Sequence, residues 1–158
     1  DLRVKYDDRD SYKPGWKFNE YEVKGVPIRL SIGKRDIEKG NIEIFRRDTF
    51  EKKIFKTEEL VSSIKFLLKE IQENLFNRSN IFLKNNTFIV NNFDEFKDKI
   101  NSGGFVLAHW DGTEKTENEI KKLTKATIRC IPFSPSELGE CVLTNKPSKR
   151  RVFFAKAY

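Results

Sequence analysis

Four charged residues spanning positions 22–36, Glu22, Arg29, Arg35 and Asp36, are of types that could read a nucleobase. An arginine fork fits the N7 and O6 acceptors of guanine, and a carboxylate accepts from its N1 and N2 donors. Both edges are open on unstacked bases of single-stranded RNA. The stretch GWKFNEYEVKGVPIRLSIGKRDIEKG (15–40) sets Glu22 at a helix end, Arg29 on the outward side of a strand, and Arg35 and Asp36 in a charged turn, so the four can converge on one face. Arg47 and Lys52 are weaker basic candidates further along. By type alone, ordinary surface ion pairs are the simpler reading of these charges. Trp16, Phe18 and Tyr21 could stack on bases, but aromatics beside a helix start more often belong to a core, and they are assigned there.

The positioning elements follow from hydropathy patterning. LRVKYDD (2–8) alternates as a half-buried strand does. Pro14 suits a first helical position, Phe18, Tyr21 and Glu22 follow at helical spacings, and Gly25 is a stop signal. PIRLSIG (27–33) places Ile28, Leu30 and Ile32 inward, and NIEIFRR (41–47) repeats the pattern after a turn-rich connection. Strand, helix, strand, turn and strand form an α/β signature. Thr57 with Glu58 and Glu59 starts a long helix carried by Leu60, Ile64, Leu67, Leu68, Ile71 and Leu75, and the Asn-rich stretch 74–92 reads mainly as helix end and loop. Asn92 caps a helix over 93–101 that Gly103 and Gly104 end. Strands are expected at 105–110, 127–133, 140–144 and 151–157, with a helix at 114–125 between the first two. The whole reads as an α/β sheet domain, a long helix and a small α+β domain, divided 1–56, 57–86 and 87–158.

Composition narrows the function classes. Charged residues make up 35% of the chain against 37% hydrophobic, the net charge is +7, and no apolar run nears the roughly 18 residues that span a bilayer. No membrane partner is therefore expected. Two cysteines are too few for a disulfide framework, which suits a reducing, cytoplasmic setting. The charge excess is shared, +4 over 1–56 (15 basic, 11 acidic) and +3 over 57–158 (16 basic, 13 acidic), so neither part is a solely basic module. No nucleophile triad, phosphate-cradling glycine loop or metal cluster stands out, and no catalytic residue is assigned.

The series GWKF, Glu22, KGVPIR and IGKRD closely resembles the anticodon-binding domain of prolyl-tRNA synthetases of the archaeal and eukaryotic type. TKATIRCIPF (124–133) and CVLTNKPSKRRVFFAKAY (141–158) resemble the C-terminal domain of that family and its terminal tyrosine. The resemblance runs from about residue 2 to Tyr158 and is weakest over 53–92. It implies anticodon reading by Glu22, Arg29, Arg35, Asp36 and, more loosely, Arg47, and active-site support by Tyr158. It also implies tRNA(Pro) as partner and a homodimeric parent enzyme that attaches proline using ATP and magnesium, neither of which this chain would bind. The chain starts at Asp1 and carries no methionine, and is read as a portion of such an enzyme without its catalytic domain, inactive alone. In the family a further strand and helix precede this point, so residues 1–50 are expected to lean on additional polypeptide or another surface. The alternative is a stand-alone RNA-binding module without ligase activity.

Many relatives hold zinc in the C-terminal domain through four cysteines. At the corresponding positions stand Asp111, Thr116, Cys141 and Thr144, and threonine is a poor zinc ligand. No zinc is expected, with packing taking over its stabilising role. His109 with Asp111 and Cys141 makes only a thin metal hypothesis, and Cys130, inside a strand, reads as a small buried apolar residue. The terminal segment 145–158 adds Lys146, Lys149, Arg150, Arg151 and Lys156 with no acidic side chain, a basic turn in solvent on the simplest view.

Overall fold

The computed structural model describes residues 1–133 and 136–156, arranged as two compact units, 1–79 and 80–158. Tyr158 lies outside the described residues.

In the first unit, helix α1 (Pro14–Val23) begins at its proline and is stopped by Gly25, whose φ of +80° favours glycine. Strand β1 (Ile28–Ser31) is followed by a short helix α2 (Lys34–Glu38) where a turn was expected. The Asp36 carboxylate accepts the Gly33 N–H at 2.9 Å, and that end bond winds the segment. Strands β2 (Asn41–Arg46) and β3 (Lys52–Lys56) complete an antiparallel sheet in the order β1-β2-β3. Strand β3 was not read from the sequence, because KKIFK is mostly charged and exposed.

Helix α3 (Leu60–Asn85) follows a 3-10 turn at Thr57–Glu59. Ile42, Ile44 and Leu67 form the buried core, with Ile28, Leu30, Phe55, Leu60 and Ile64 around it. The register sets Ile28, Leu30, Ile42, Ile44 and Phe55 on that face and leaves Arg29, Phe45 and Lys52 on the other.

Three further expectations fail in this unit. Residues 2–8 are not a strand, and Val4 and Tyr6 are each 80% exposed. Alternation alone makes no ladder, and no strand of the sheet pairs with this segment. Ile32 lies past the end of β1 and points to solvent. Trp16 is not core. It stacks on Tyr12, centroids 4.0 Å apart, on the exposed side of α1 with the Arg9 guanidinium over the ring.

The second unit builds a four-stranded sheet. Strand β4 (Thr87–Ile89), helix α4 (Phe93–Ser102) and strand β5 (Phe105–His109) make a parallel crossover, with the Asn92 side chain capping α4 through the Glu95 N–H at 2.9 Å. Helix α5 (Glu114–Thr124) leads to β6 (Ala126–Cys130). The sheet order is β4-β5-β9-β6, with β9 (Arg151–Lys156) between two antiparallel neighbours; β7 (Gly139–Glu140) and β8 (Pro147–Ser148) form a separate small pair. Phe96, Ile100, Val106, Ile120, Val152 and Phe154 centre the core, Phe96 meeting Phe154 edge to face at 5.1 Å.

Here too some expectations change. The helix end read into 74–92 comes only at Asn85, and Thr87–Ile89 is strand. Residues 141–144 turn instead of extending. Asn145 adopts φ +55° and its N–H bonds back to Cys141 O, so only 139–140 are left to pair with 147–148. Cys130 is exposed, not buried, because the β6–β9 register shifts between Ile128 and Cys130.

Candidate nucleic-acid interface

Arg29 is the best-held of the charged candidates. From the second face of the sheet its guanidinium lies 3.8 Å from the Phe18 ring centroid and 4.1 Å from that of Phe45, its cross-strand partner. Helix α1 supplies both Phe18 and, four residues on, Glu22, whose Oε1 accepts from Arg29 Nη1 at 2.6 Å. Arg29 keeps only 14% of its side-chain surface in solvent and Glu22 28%. The rings therefore hold a cation flat, and the cation holds a carboxylate at the surface. Arg29 Nε is buried without a hydrogen-bond partner among the described residues.

The hairpin between β2 and β3 borders this pair. Arg46 sends two bonds to the Asp48 carboxylate, 3.1 Å from Nε and 2.9 Å from Nη2, and reaches Glu70 of α3 at 3.1 Å. Asn74 donates to Asp48 Oδ2 at 2.7 Å, and Arg78 to Asp48 O at 3.2 Å. The Arg46 guanidinium holds the Asp48 carboxyl below its usual range; burial opposes this and the Asn74 bond assists. Next in the chain, Arg47 donates its amide to Pro27 O at 3.0 Å, while its side-chain Nε is buried and finds no partner among the described residues. Lys52 lies across from Phe45 and pairs with Glu43 at 3.1 Å.

Arg35 and Asp36 stand apart from that cluster, on α2. Arg35 is exposed and has no ion pair among the described residues, whereas Asp36 is committed in part to the Gly33 amide. Glu22 and Arg29 are thus brought into contact, Lys52 lies on the same face of the sheet as Arg29, Arg47 stands in the turn that follows β2, and the α2 pair follows from the end of β1. Sequence reasoning missed Phe45 and Asp48. The signal was the FRRDTF hairpin (45–50), where aromatic and charged residues interleave.

In the second unit, Asp111 gathers hydroxyls. Its Oδ2 accepts from Thr116 Oγ1 at 2.7 Å and Thr144 Oγ1 at 3.0 Å, and its Oδ1 accepts from Thr113 Oγ1 at 2.9 Å. Burial pushes the carboxyl up, but the Thr116 and Thr113 hydroxyls, the Thr113 amide and Thr144 outweigh it, and the group sits below the ordinary carboxylate range. Cys141 is fully buried. His109 is also buried, 3.1 Å from Ser148 Oγ, with Gly139 so close that a Cβ there would meet the imidazole. Of the basic tail, Arg151 is structural, donating to Val90 O at 2.8 Å and Asn91 Oδ1 at 2.7 Å.

Residues 1–67 match the family described as "Anticodon binding domain", and residues 93–158 match "Prolyl-tRNA synthetase, C-terminal". Similar curated relatives are named "Proline--tRNA ligase". That of Christiangramia forsetii is 54% identical over 99% of this chain, that of Azobacteroides pseudotrichonymphae 52% over 100%, and that of Parabacteroides distasonis 51% over 99%. In each case the match covers 32% of the relative, so the chain spans about a third of their length.

Proposed function

From a chain that belongs to the prolyl-tRNA synthetase family, as an anticodon-binding domain followed by that family's C-terminal domain, we infer that its first unit selects tRNA(Pro) by the guanines of the anticodon. The observation that carries this reading is the Glu22–Arg29 pair, 2.6 Å long and held between two rings within the anticodon-binding match.

The two residues do different work. Arg29 is mostly covered, so it acts as a positioning residue that keeps Glu22 oriented. The remaining carboxylate lone pairs of Glu22 accept from guanine N1–H and N2–H, which adenine cannot reproduce on the same edge. Arg35, free in solvent on α2, supplies a fork for O6 and N7, and Asp36 a second carboxylate. Arg47 and Lys52 meet the phosphate backbone, a contact without sequence preference.

The parent enzyme is read as a homodimeric ligase that joins proline to its tRNA in the cytoplasm with ATP and magnesium, using polypeptide beyond these 158 residues. This chain alone makes no aminoacyl bond, and Tyr158 supports the active site of the whole enzyme. The set at the family's zinc position is one carboxylate, one thiol and two hydroxyls already bonded to that carboxylate, which does not fit a structural zinc site. The Asp111 node takes the place of the metal.

The test is binding of an anticodon stem-loop to this chain and to Glu22→Gln. Loss of guanine preference in the variant supports the reading, and unchanged preference overturns it.

A further inference from the structure

Phe50 is a residue that its own turn does not explain. It closes the β2–β3 hairpin with φ +59°, a left-handed conformation that glycine or asparagine holds freely and that an L side chain with a bulky ring does not. Packing gives little in return, since 69% of the residue remains exposed. Among the described aromatic residues its ring pairs with Phe45, centroids 6.1 Å apart at 62°. Yet the backbone beneath it is firmly anchored. Arg46 N–H bonds Glu51 O at 2.9 Å across the turn, and Asp48 ties the loop to α3 through Arg46, Asn74 and Arg78. A strained backbone kept in place by its surroundings, with an aromatic ring facing solvent, is a pattern that points to a ligand.

The surroundings specify which ligand. Phe18, Arg29, Phe45 and Phe50 form a continuous row, at 3.8, 4.1 and 6.1 Å between successive members, with Phe50 at the outer end. The hairpin segment that carries the ring holds four basic residues, Arg46, Arg47, Lys52 and Lys53, against two acidic ones, Asp48 and Glu51. An exposed ring on a segment of net positive charge is the combination that single-stranded nucleic acid uses, bases stacking on the ring while phosphates meet basic residues nearby.

We propose that Phe50 is a base-stacking residue, receiving an unpaired base of the same RNA loop whose guanine is read at Glu22. This rests on the anticodon reading above and adds to it a contact that holds the loop without selecting its sequence. Every base has a π face, so stacking on Phe50 contributes equally to loops that Glu22 distinguishes.

The decisive variant is Phe50→Gly, which suits the backbone and deletes the platform. Its binding to a proline-tRNA anticodon stem-loop should weaken about tenfold, and by the same factor for a guanine-to-adenine loop. Its melting temperature should match or exceed that of the unsubstituted chain. Phe50→Tyr should bind normally. Binding by Phe50→Gly within twofold of the unsubstituted chain overturns the proposal while leaving the Glu22 reading intact. A marked fall in melting temperature, with binding restored by Phe50→Leu, would assign the ring to packing on Phe45 and also overturn it. If the unsubstituted chain binds neither loop, both readings fall together.

Discussion

Glu22 and Arg29 lie seven residues apart in sequence and are joined by a 2.6 Å ion pair, with the arginine pressed between Phe18 and Phe45. Helix α1 and strand β1 are therefore coupled at the point where base recognition is proposed. A carboxylate on a flexible side chain would lose rotamer freedom on binding RNA; one already held by a stacked guanidinium has lost most of it during folding.

Replacing Arg29 by lysine should weaken guanine-loop binding by about 1–3 kcal/mol although the charge is kept, because an ammonium neither lies flat between two rings nor presents a fork to Glu22. Titrations of wild type and Arg29→Lys with the same stem-loop measure it. Equal affinities would show that charge alone is required.

Asp36 has a structural role through the Gly33 amide and a proposed recognition role through its charge. Asp36→Asn keeps an oxygen for the amide and removes the charge. It should leave the melting temperature within a few degrees while lowering guanine preference, whereas Asp36→Ala should lower both. If Asp36→Asn reads bases as well as wild type, the carboxylate serves only the helix end.

The Asp48–Arg46 pair predicts an acid-sensitive first unit. The folded pKa of Asp48 is depressed below the unfolded value of about 3.9. Its contribution is thus complete well above that value and is lost as pH falls through the folded pKa. Asp48→Asn should cost about 3 kcal/mol at pH 7, since Arg46 is left buried with only Glu70, and the loss should shrink toward pH 3. Denaturant melts at both pH values check the sign; a pH-independent difference would contradict it.

Much of this arrangement was legible in the residues. Pro14 and Gly25 bound α1, the alternation in 27–33 and 41–47 marks β1 and β2, and Asn92 caps α4. Residues 2–8 alternate as well as any strand, but a strand also needs an unpaired neighbour, which alternation cannot report. KKIFK hid β3 because its ladder bonds come from the backbone while its side chains, Phe55 apart, face water. At the candidate site, Glu22 and Arg29 could be named from type and resemblance. Their contact, the two rings around Arg29 and the anchoring of the hairpin by Asp48 depend on register and on Glu70 and Asn74 of α3, which lie 24 and 26 residues beyond their partners Arg46 and Asp48.

The Asp111 node should make the second unit indifferent to zinc. Chelator should leave the melting temperature unchanged, and added zinc should not raise it. Thr144→Val should lower stability by about 1–2 kcal/mol, as loss of a bond to a buried carboxylate does. A chelator-dependent melt would mean that Cys141 and its neighbours do hold a metal.

The most direct test of the central claim is competition for this chain between a proline-tRNA anticodon stem-loop and the same RNA with either anticodon guanine replaced by adenine. The account predicts that each replacement costs about 1–3 kcal/mol in wild type and almost nothing in Glu22→Gln. Equal binding of all loops by the wild-type chain would contradict it and leave only a basic surface.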